Sequence, residues 1–203
     1  FHETKNIISG EGGALTINRP DLIERAEIIR EKGTDRSRFF RGQVDKYTWV
    51  DIGSSFLPGE LIASFLNAQL EMAEHINDER RAVFSRYMNA FAPIEQRQRA
   101  RRPRWSLDGT GNGHLFYLLL RDGADREAFI EHMKADGITT PFHYVPLHSA
   151  PAGLRYGRTT GSMQVTERIS ETLVRLPMFL ELGSLAERVI ERALHFFDRA
   201  ERG

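Results

Sequence analysis

The sequence predicts a mixed α/β fold, arranged as two parts on either side of a charged segment. Residues 114–121 form a continuous apolar run, which is typical of a buried strand, and residues 126–135 have the apolar spacing of a helix. Before the charged segment, helical patterns alternate with glycine-rich and aromatic loops. We therefore predict a first domain at residues 1–93, a linker at 94–113 and a small α/β domain at 114–203.

The elements of the first part follow from turn residues and helical spacing. Residues 7–17 are predicted as two extended pieces broken by the glycines of 10–13, and Pro20 begins a helix that Gly33 ends. Residues 34–57 form a long aromatic loop, a kind that is usually functional or contacts a partner. A second helix begins at Pro58-Gly59-Glu60 and continues as a long helix toward residue 91. Its predicted buried stripe consists of Ile62, Phe65, Leu66, Gln69, Ala73 and Ile76.

The second part alternates strands and helices. After the strand at 114–121 and the helix at 126–135, we predict a strand at 138–145, a short helix at 165–173 and a strand at 176–179. Ser184 and Glu187 have the spacing of a capping box, which predicts the start of a terminal helix. The predicted buried stripe of this helix consists of Val189, Ile190, Ala193, Leu194 and Phe197.

The charge balance and the lack of cysteine limit the classes of protein to which this chain could belong. Lys plus Arg and Asp plus Glu both number 28, and this balance argues against a nucleic-acid or membrane protein at the level of the whole chain. No apolar run reaches the ~20 residues that a transmembrane helix needs. The absence of cysteine excludes disulfides and thiolate chemistry and fits a reducing compartment, so we expect a cytoplasmic location.

Lys5 is the first candidate catalytic residue. It precedes the turn Gly10-Glu11-Gly12-Gly13 and lies between short apolar segments. A primary amine attacks an aldehyde only when it is unprotonated, so a Schiff-base lysine needs a partly desolvated site. The residues alone leave two interpretations open: a Schiff-base lysine, or a solvated lysine beside a strand, a turn and a second strand.

Three segments resemble one enzyme family. Residues 1–15, with Phe1-His2-Glu3-Thr4-Lys5-Asn6, are similar to the cofactor-lysine motif of the DegT/DnrJ/StrS family, and residues 21–60 and 142–153 also resemble that family. Its members are pyridoxal-phosphate-dependent aminotransferases that act on nucleotide-linked keto-sugars. The resemblance implies the C-terminal part of a fold-type-I aminotransferase, with the end of the large cofactor domain followed by a small α/β domain. We accordingly expect this chain to be the C-terminal half of a longer protein.

The same resemblance implies a reaction. The closest branch aminates C4 of dTDP-4-keto-6-deoxyglucose to give dTDP-4-amino-4,6-dideoxygalactose, with L-glutamate as the usual donor and a homodimer as the usual assembly. Lys5 would hold pyridoxal 5'-phosphate and transfer protons; related dehydratases carry histidine at this position, so lysine favours amine transfer. Two alternatives stay open, namely a sibling enzyme with another keto-sugar and a non-catalytic fragment of such an enzyme.

The resemblance implies further site residues in the first domain. Asn6, beside the lysine, is a candidate cofactor ligand. Most of the family carries Gly-Tyr-Asn where this chain has Gly53-Ser54-Ser55. The resemblance implies that this Asn position reaches across a dimer to the cofactor phosphate of the other subunit, so Ser55 is the candidate for that contact through its hydroxyl. Arg41 is the candidate among the loop arginines for the substrate diphosphate, because guanidinium groups bind phosphates well; a solvated loop is the alternative.

The second domain contributes the segment His143-Tyr144-Val145-Pro146-Leu147-His148. The resemblance implies that this segment closes over the sugar nucleotide, so His143, Tyr144 and His148 are candidate substrate ligands. No third ligand is spaced to form a metal site with the two histidines, so we predict no metal. The alternative is a strand end whose histidines are satisfied by local hydrogen bonds.

Overall fold

A computed structural model of the chain describes residues 1–104 and 111–199. Its contacts group into two compact units, Phe1–Ala73 and Glu74–Gly203. Residues 74–93, which the sequence interpretation assigns to the first domain, pack in the second unit, where Val83 and Phe84 join the core. Part of the predicted linker at 94–113 lies outside the described residues. No helix in the described ranges is both long and apolar enough to cross a membrane.

The first unit is built from short helices and loops. A 3-10 turn at Pro20–Leu22 leads into α1 (Ile23–Arg30), followed by α2 (Arg36–Phe40) and α3 (Glu60–Glu71). The predicted helix starts near residues 20 and 60 are confirmed. The two extended pieces predicted within residues 7–17 form no strand ladder, and the pairing there is a single bridge between His2 and Gly10.

Close backbone approach at Gly33 gives the first unit its shape. Gly33 has φ +76°, and a Cβ at this position would lie 1.8 Å from the carbonyl oxygen of Asp51. Only glycine tolerates both the left-handed backbone and this contact. The segment after α1 therefore lies directly against residues 48–55, and Asp35 fixes it by accepting the Thr48 N–H at 2.7 Å.

Apolar side chains of the first unit remain on its surface. Among its residues, all of which the structure describes, only Ser9, Glu31, Gly33 and Asp35 are buried. Of the predicted stripe, Ile76 is buried in the helix that follows, whereas Ile62 and Phe65 on α3 are 38% and 52% exposed, so the α3 part of the prediction is wrong. The helix also turns at Met72, so α3 and the next helix are separate. Large exposed apolar side chains include Leu15, Phe40, Trp49, Ile52, Phe56, Leu61 and Phe65.

The second unit is a layered α/β structure. Its helices are α4 (Ala73–Ala90), which begins at the boundary, α5 (Ala92–Gln96), α6 (Gly123–Ala135), α7 (Pro151–Tyr156), α8 (Gln164–Thr172) and α9 (Leu185–Arg199). Strands β1 (Phe116–Leu119) and β2 (Leu173–Leu176) pair antiparallel, with Phe116 opposite Leu176. Single bridges add Arg101 beside β1 and Phe142 beside β2. The predicted α/β character of this part is confirmed.

The core of the second unit is aromatic. Phe116 of β1 lies 5.1 Å from the ring centroids of both Phe84 and Tyr87, and Phe129 of α6 lies 5.7 Å from Phe197 of α9. Burying a side chain of this kind contributes about 1.5–3 kcal/mol. The predicted stripe of the terminal helix is confirmed, with four of its members buried and Leu194 partly buried.

Two strand predictions in the second unit need correction. The strand predicted at 138–145 forms only the bridge from Phe142, because Pro141 cannot donate to a ladder and Tyr144 has φ +48°. The strand predicted at 176–179 lies earlier, at Leu173–Leu176, directly after α8.

Candidate functional site

The loop that carries Lys5 is closed by its own backbone. The Lys5 N–H donates to the carbonyl of His2 at 2.9 Å, the Glu3 N–H to Gly10 at 3.2 Å and the Ser9 N–H to Phe1 at 2.7 Å. These bonds fold the predicted lysine–glycine motif into a compact turn. Lys5 itself lies at the exposed tip of this turn.

The side chains around Lys5 satisfy one another and leave its amine accessible. The His2 Nδ1 lies 3.1 Å from the Thr4 hydroxyl and accepts the Thr4 N–H at 3.2 Å, so this histidine is fixed within the turn. Asn6 is half-buried beside the lysine. Within residues 1–104 and 111–199, no hydrogen bond or ion pair engages the Lys5 ammonium group. The turn thus presents one exposed primary amine.

Ser55 lies on a rigidly held extended segment. Ser55 bridges Glu31 at the end of α1, and on either side the Ser54 N–H donates to Ile29 at 2.9 Å and the Phe56 N–H to Arg30 at 3.0 Å. The side chain of Ser55 is exposed. Its hydroxyl is therefore offered to solvent from a fixed backbone, as a phosphate donor would require.

Arg41 already has a carboxylate partner. Its guanidinium donates to both carboxylate oxygens of Glu27, at 2.9 and 2.8 Å. This pairing lowers the pKa of Glu27 and raises that of Arg41. The neighbouring Arg36 and Arg38 are likewise paired, with glutamates of α1 and of the segment after it. A substrate phosphate would have to compete with these carboxylates for the three arginines.

The three candidates of the second unit lie on one segment after the Phe142 bridge. Tyr144 is exposed, and the guanidinium of Arg175 lies 5.5 Å from its ring centroid. The rings of His143 and Tyr144 are 5.3 Å apart. Burial, and then the positive charge of Arg175, lowers the pKa of His143 below its usual value of 6.5. At neutral pH this imidazole is uncharged and offers one donor and one acceptor.

Helix α8 also contacts the segment that carries His143, Tyr144 and His148. The His148 Nε2 lies 3.2 Å from the Glu167 carboxylate. The Ser170 hydroxyl donates to the Tyr144 carbonyl at 3.1 Å, and Arg126 of α6 donates to the Ser170 carbonyl at 2.9 Å. These contacts connect the candidate segment to the core of the unit, so its conformation is fixed by tertiary structure.

Four candidate residues thus lie in the first unit and three in the second. Lys5 and Asn6 share one turn, whereas Arg41 and Ser55 contact α1 and the segment that follows it. The second unit also has a cleft beside His148 that sequence reasoning missed, lined in addition by Leu147, Gly153, Leu154, Gly157, Arg158, Thr159, Met163 and Thr166. The glycines at 153 and 157 were its only local signal, because small residues allow the backbone to approach closely.

Comparison with known proteins gives a consistent result. A family model described as the DegT/DnrJ/EryC1/StrS aminotransferase family matches residues 1–193. A curated relative, uncharacterized protein MJ1066 of Methanocaldococcus jannaschii, is 28% identical over 88% of this chain and 47% of its own length. The chain therefore spans about half the length of that relative.

Solved structures agree with the fold. The aminotransferase TlmJ from Streptoalloteichus hindustanus superimposes with a TM-score of 0.78 at 22% identity, over 96% of this chain and 50% of TlmJ. DesV from S. venezuelae, solved with a ketimine intermediate, gives a TM-score of 0.72 at 26% identity, over 88% of this chain and 44% of DesV. The fold is that of part of a fold-type-I aminotransferase.

Proposed function

This chain belongs to the DegT/DnrJ/EryC1/StrS aminotransferase family, and on that premise we propose that the whole protein is a pyridoxal-phosphate-dependent sugar-nucleotide aminotransferase. The observation that carries the proposal is the position of Lys5 on a closed turn, within the region that the family model matches and with no partner for its amine among the described residues. The likeness of the chain to TlmJ and DesV supports the same class of reaction.

The proposed substrate is more specific than the family. We assign dTDP-4-keto-6-deoxyglucose as the amino acceptor and L-glutamate as the donor, with dTDP-4-amino-4,6-dideoxygalactose as the product. The support is the resemblance of residues 21–60 to that branch, including Ser54 and Ser55 where most of the family has Tyr-Asn. A homodimer and a cytoplasmic location belong to the same proposal. The predicted division into domains at residues 93 and 113 also stays a prediction.

The donor set of the first unit fits this cofactor. Lys5 would supply the amine that an aldehyde requires and Asn6 an amide beside it, while Ser55 would offer a hydroxyl to the phosphate of the cofactor in the other subunit of the proposed dimer. When bound, pyridoxal phosphate supplies an electron sink that stabilises negative charge at the carbon being deprotonated.

The residues of this chain would act on the substrates by moving protons and orienting groups. The amine of Lys5, once unprotonated, removes the proton from the α-carbon of the amino donor, and in the second half of the reaction it delivers a proton to C4 of the sugar. Uncharged His143 and the hydroxyl of Tyr144 can hydrogen-bond sugar hydroxyls, and His148 is held by Glu167 on the same segment. Arg41 remains a diphosphate candidate if it leaves Glu27.

The test is an absorbance spectrum of the whole protein with pyridoxal phosphate. We expect a visible band from cofactor bound covalently to lysine in the wild type, and its loss in Lys5→Ala and Lys5→Arg. The matched control is Lys46→Ala, which removes an exposed lysine of the same unit and should keep the band. A folded wild-type protein without the band, or a Lys5→Ala variant that retains it, would contradict the proposal.

Two observations would separate the alternatives. If the band forms and L-glutamate abolishes it, but dTDP-4-keto-6-deoxyglucose does not restore it, a sibling enzyme with another keto-sugar is favoured. If the whole protein folds but binds no cofactor, the non-catalytic alternative is favoured. Separate addition of donor and acceptor distinguishes these cases because the reaction proceeds in two halves.

A further inference from the structure

The cleft beside His148 in the second unit has the size and lining of a ligand site. Its volume is about 520 Å³, within the range of ~300–1,000 Å³ that is typical of small-molecule sites. Two of its apolar lining residues, Leu147 and Leu154, are 85% and 73% exposed. A ligand with an apolar or flat surface would remove this apolar area from water.

The backbone that forms the cleft is tightly constrained. A Cβ on Gly153 would lie 1.6 Å from the carbonyl oxygen of Leu147, so α7 lies directly against the segment that carries His148. Any side chain at position 153 would push these two pieces apart. The histidine at the cleft wall is in turn held by Glu167. The cleft is therefore formed by packed elements, because α7 and the segment that carries His148 hold each other in place.

Arg158 gives the cleft a positive charge, and its guanidinium makes no direct ion pair among the described residues. It is an exposed lining residue, and in the part of the chain that the structure describes no carboxylate pairs with it. The arginines 36, 38 and 41 of the first unit, in contrast, are all paired with glutamates. Thr159 and Thr166, which each carry a hydroxyl donor, line the same space. A guanidinium with adjacent hydroxyl donors is well suited to bind phosphate oxygens.

We propose that this cleft binds the nucleoside diphosphate part of the substrate, with Arg158 donating to the phosphates and Leu147 and Leu154 covering the nucleoside. The inference rests on the proposed function for its substrate class. A small inorganic anion would need only the guanidinium of Arg158. The volume of the cleft and its exposed leucines instead match a larger ligand that carries both an anionic group and an apolar group. Arg158 would then determine affinity for the substrate without taking part in proton transfer.

Calorimetric titration of the whole protein, loaded with pyridoxal phosphate, tests the proposal with dTDP and with inorganic pyrophosphate as probes. We expect Arg158→Gln to weaken dTDP binding at least ~10-fold, because it removes charge-assisted hydrogen bonds, and Arg158→Lys to have a smaller effect. Leu154→Ala should weaken dTDP several-fold, on the order of one buried apolar group, and leave pyrophosphate binding unchanged. The matched control is Arg155→Gln, since Arg155 stacks on Tyr156, with its guanidinium 4.8 Å from that ring, and does not line the cleft.

The outcomes separate this inference from the proposed function. Wild-type affinity for dTDP in Arg158→Gln, an equal loss in Arg155→Gln, or no binding of dTDP to the wild type would overturn the cleft assignment. Loss of the visible cofactor band on adding L-glutamate needs no nucleotide, so in the wild type it tests the aminotransferase proposal independently of the cleft. Failure of that reaction in the wild type would overturn the aminotransferase proposal, while dTDP binding that depends on Arg158 would still support the cleft.

Discussion

Arg80 connects both strands of the second unit to helix α4. Its side chain is 7% exposed, and its guanidinium donates to the carbonyls of Gly113 at 3.1 Å, His114 at 2.7 Å and Met178 at 3.1 Å. The first two carbonyls precede β1 and the third follows β2, which places all three at one end of the antiparallel pair. Gly113 permits this approach, since a Cβ there would lie 2.7 Å from the backbone of Arg80. Replacing Arg80 should therefore loosen both strands together.

The structure allows the size of this effect to be worked out for Arg80→Met, which keeps most of the aliphatic length. Three hydrogen bonds from a charged donor, at about 1.5–3 kcal/mol each, would sum to roughly 4.5–9 kcal/mol. Two effects reduce this sum. Burial opposes the charged form and lowers the pKa of Arg80, so the wild type already bears a desolvation cost. Water can also replace the donor at the half-buried His114. We expect Arg80→Met to lower the free energy of unfolding by about 3 kcal/mol.

Hydrogen–deuterium exchange in the whole protein measures this local stability. A loss of about 3 kcal/mol corresponds to roughly 150-fold faster exchange of peptides that contain β1 and β2. The control is Arg81→Met, because the Arg81 side chain is 40% exposed and, among the described residues, its ion pair is with Asp78 on the same helix; it should change stability by less than about 0.5 kcal/mol. Unchanged exchange of both strands in a folded Arg80→Met protein would refute the reasoning.

Three further predictions concern the second unit. His143→Gln should reduce the loss of stability in acid: burial lowers the pKa of His143 below 6.5, so the unfolded state binds the proton first and stability falls as pH drops through 6.5 toward the lowered value. Thermal melts across that range check this, and parallel curves for variant and wild type would contradict it. Tyr87→Phe should cost about 1 kcal/mol in the same melts, because its hydroxyl donates to the Pro177 carbonyl at 3.0 Å; an unchanged midpoint would argue against the bond. Glu167→Gln should speed hydrogen exchange around His148 and leave β1 unchanged, whereas equal acceleration of both would indicate general unfolding.

Helix positions are largely predictable here because local chemistry marks them. Proline at residue 20, Gly33 after α1 and glycine before Glu60 act within a few residues of the helix ends. The apolar spacing of α9 likewise predicts its buried face, because the helix packs on a core within the same unit. In both cases the sequence carries the signal at short range.

Burial and strand pairing depend on contacts that local sequence does not record. The stripe of α3 has the right spacing, yet Ile62 and Phe65 are exposed because nothing in the first unit covers them. The segment at 138–145 has strand-like composition, but Pro141 lacks an N–H and the left-handed Tyr144 ends the extended run. Spacing identifies an apolar face, and only the tertiary structure says what lies against it.

Some features of the candidate site were likewise predicted from the sequence, and others depend on tertiary contacts. Lys5 was predicted through resemblance, since an exposed lysine in a turn has no local physical marker of reactivity. The pairing of Arg41 with Glu27 joins residues 14 positions apart and depends on how α2 lies against α1. Arg158 was missed because the cleft forms where Gly153 meets Leu147, a contact that spacing alone does not reveal.

The desolvation that Lys5 needs and the exposed apolar side chains of the first unit are connected. A lysine that attacks an aldehyde at neutral pH needs partial desolvation, yet the Lys5 side chain is exposed and the first unit buries no apolar side chain. If Lys5 has the proposed role, its desolvation must come from groups outside the first unit. Trp49, Ile52 and Phe56 offer such groups exposed apolar side chains to pack against, and burying apolar area favours association. The covering of this surface and the activation of the lysine would then have the same cause, so cofactor attachment should depend on the same packing that gives the first unit its stability.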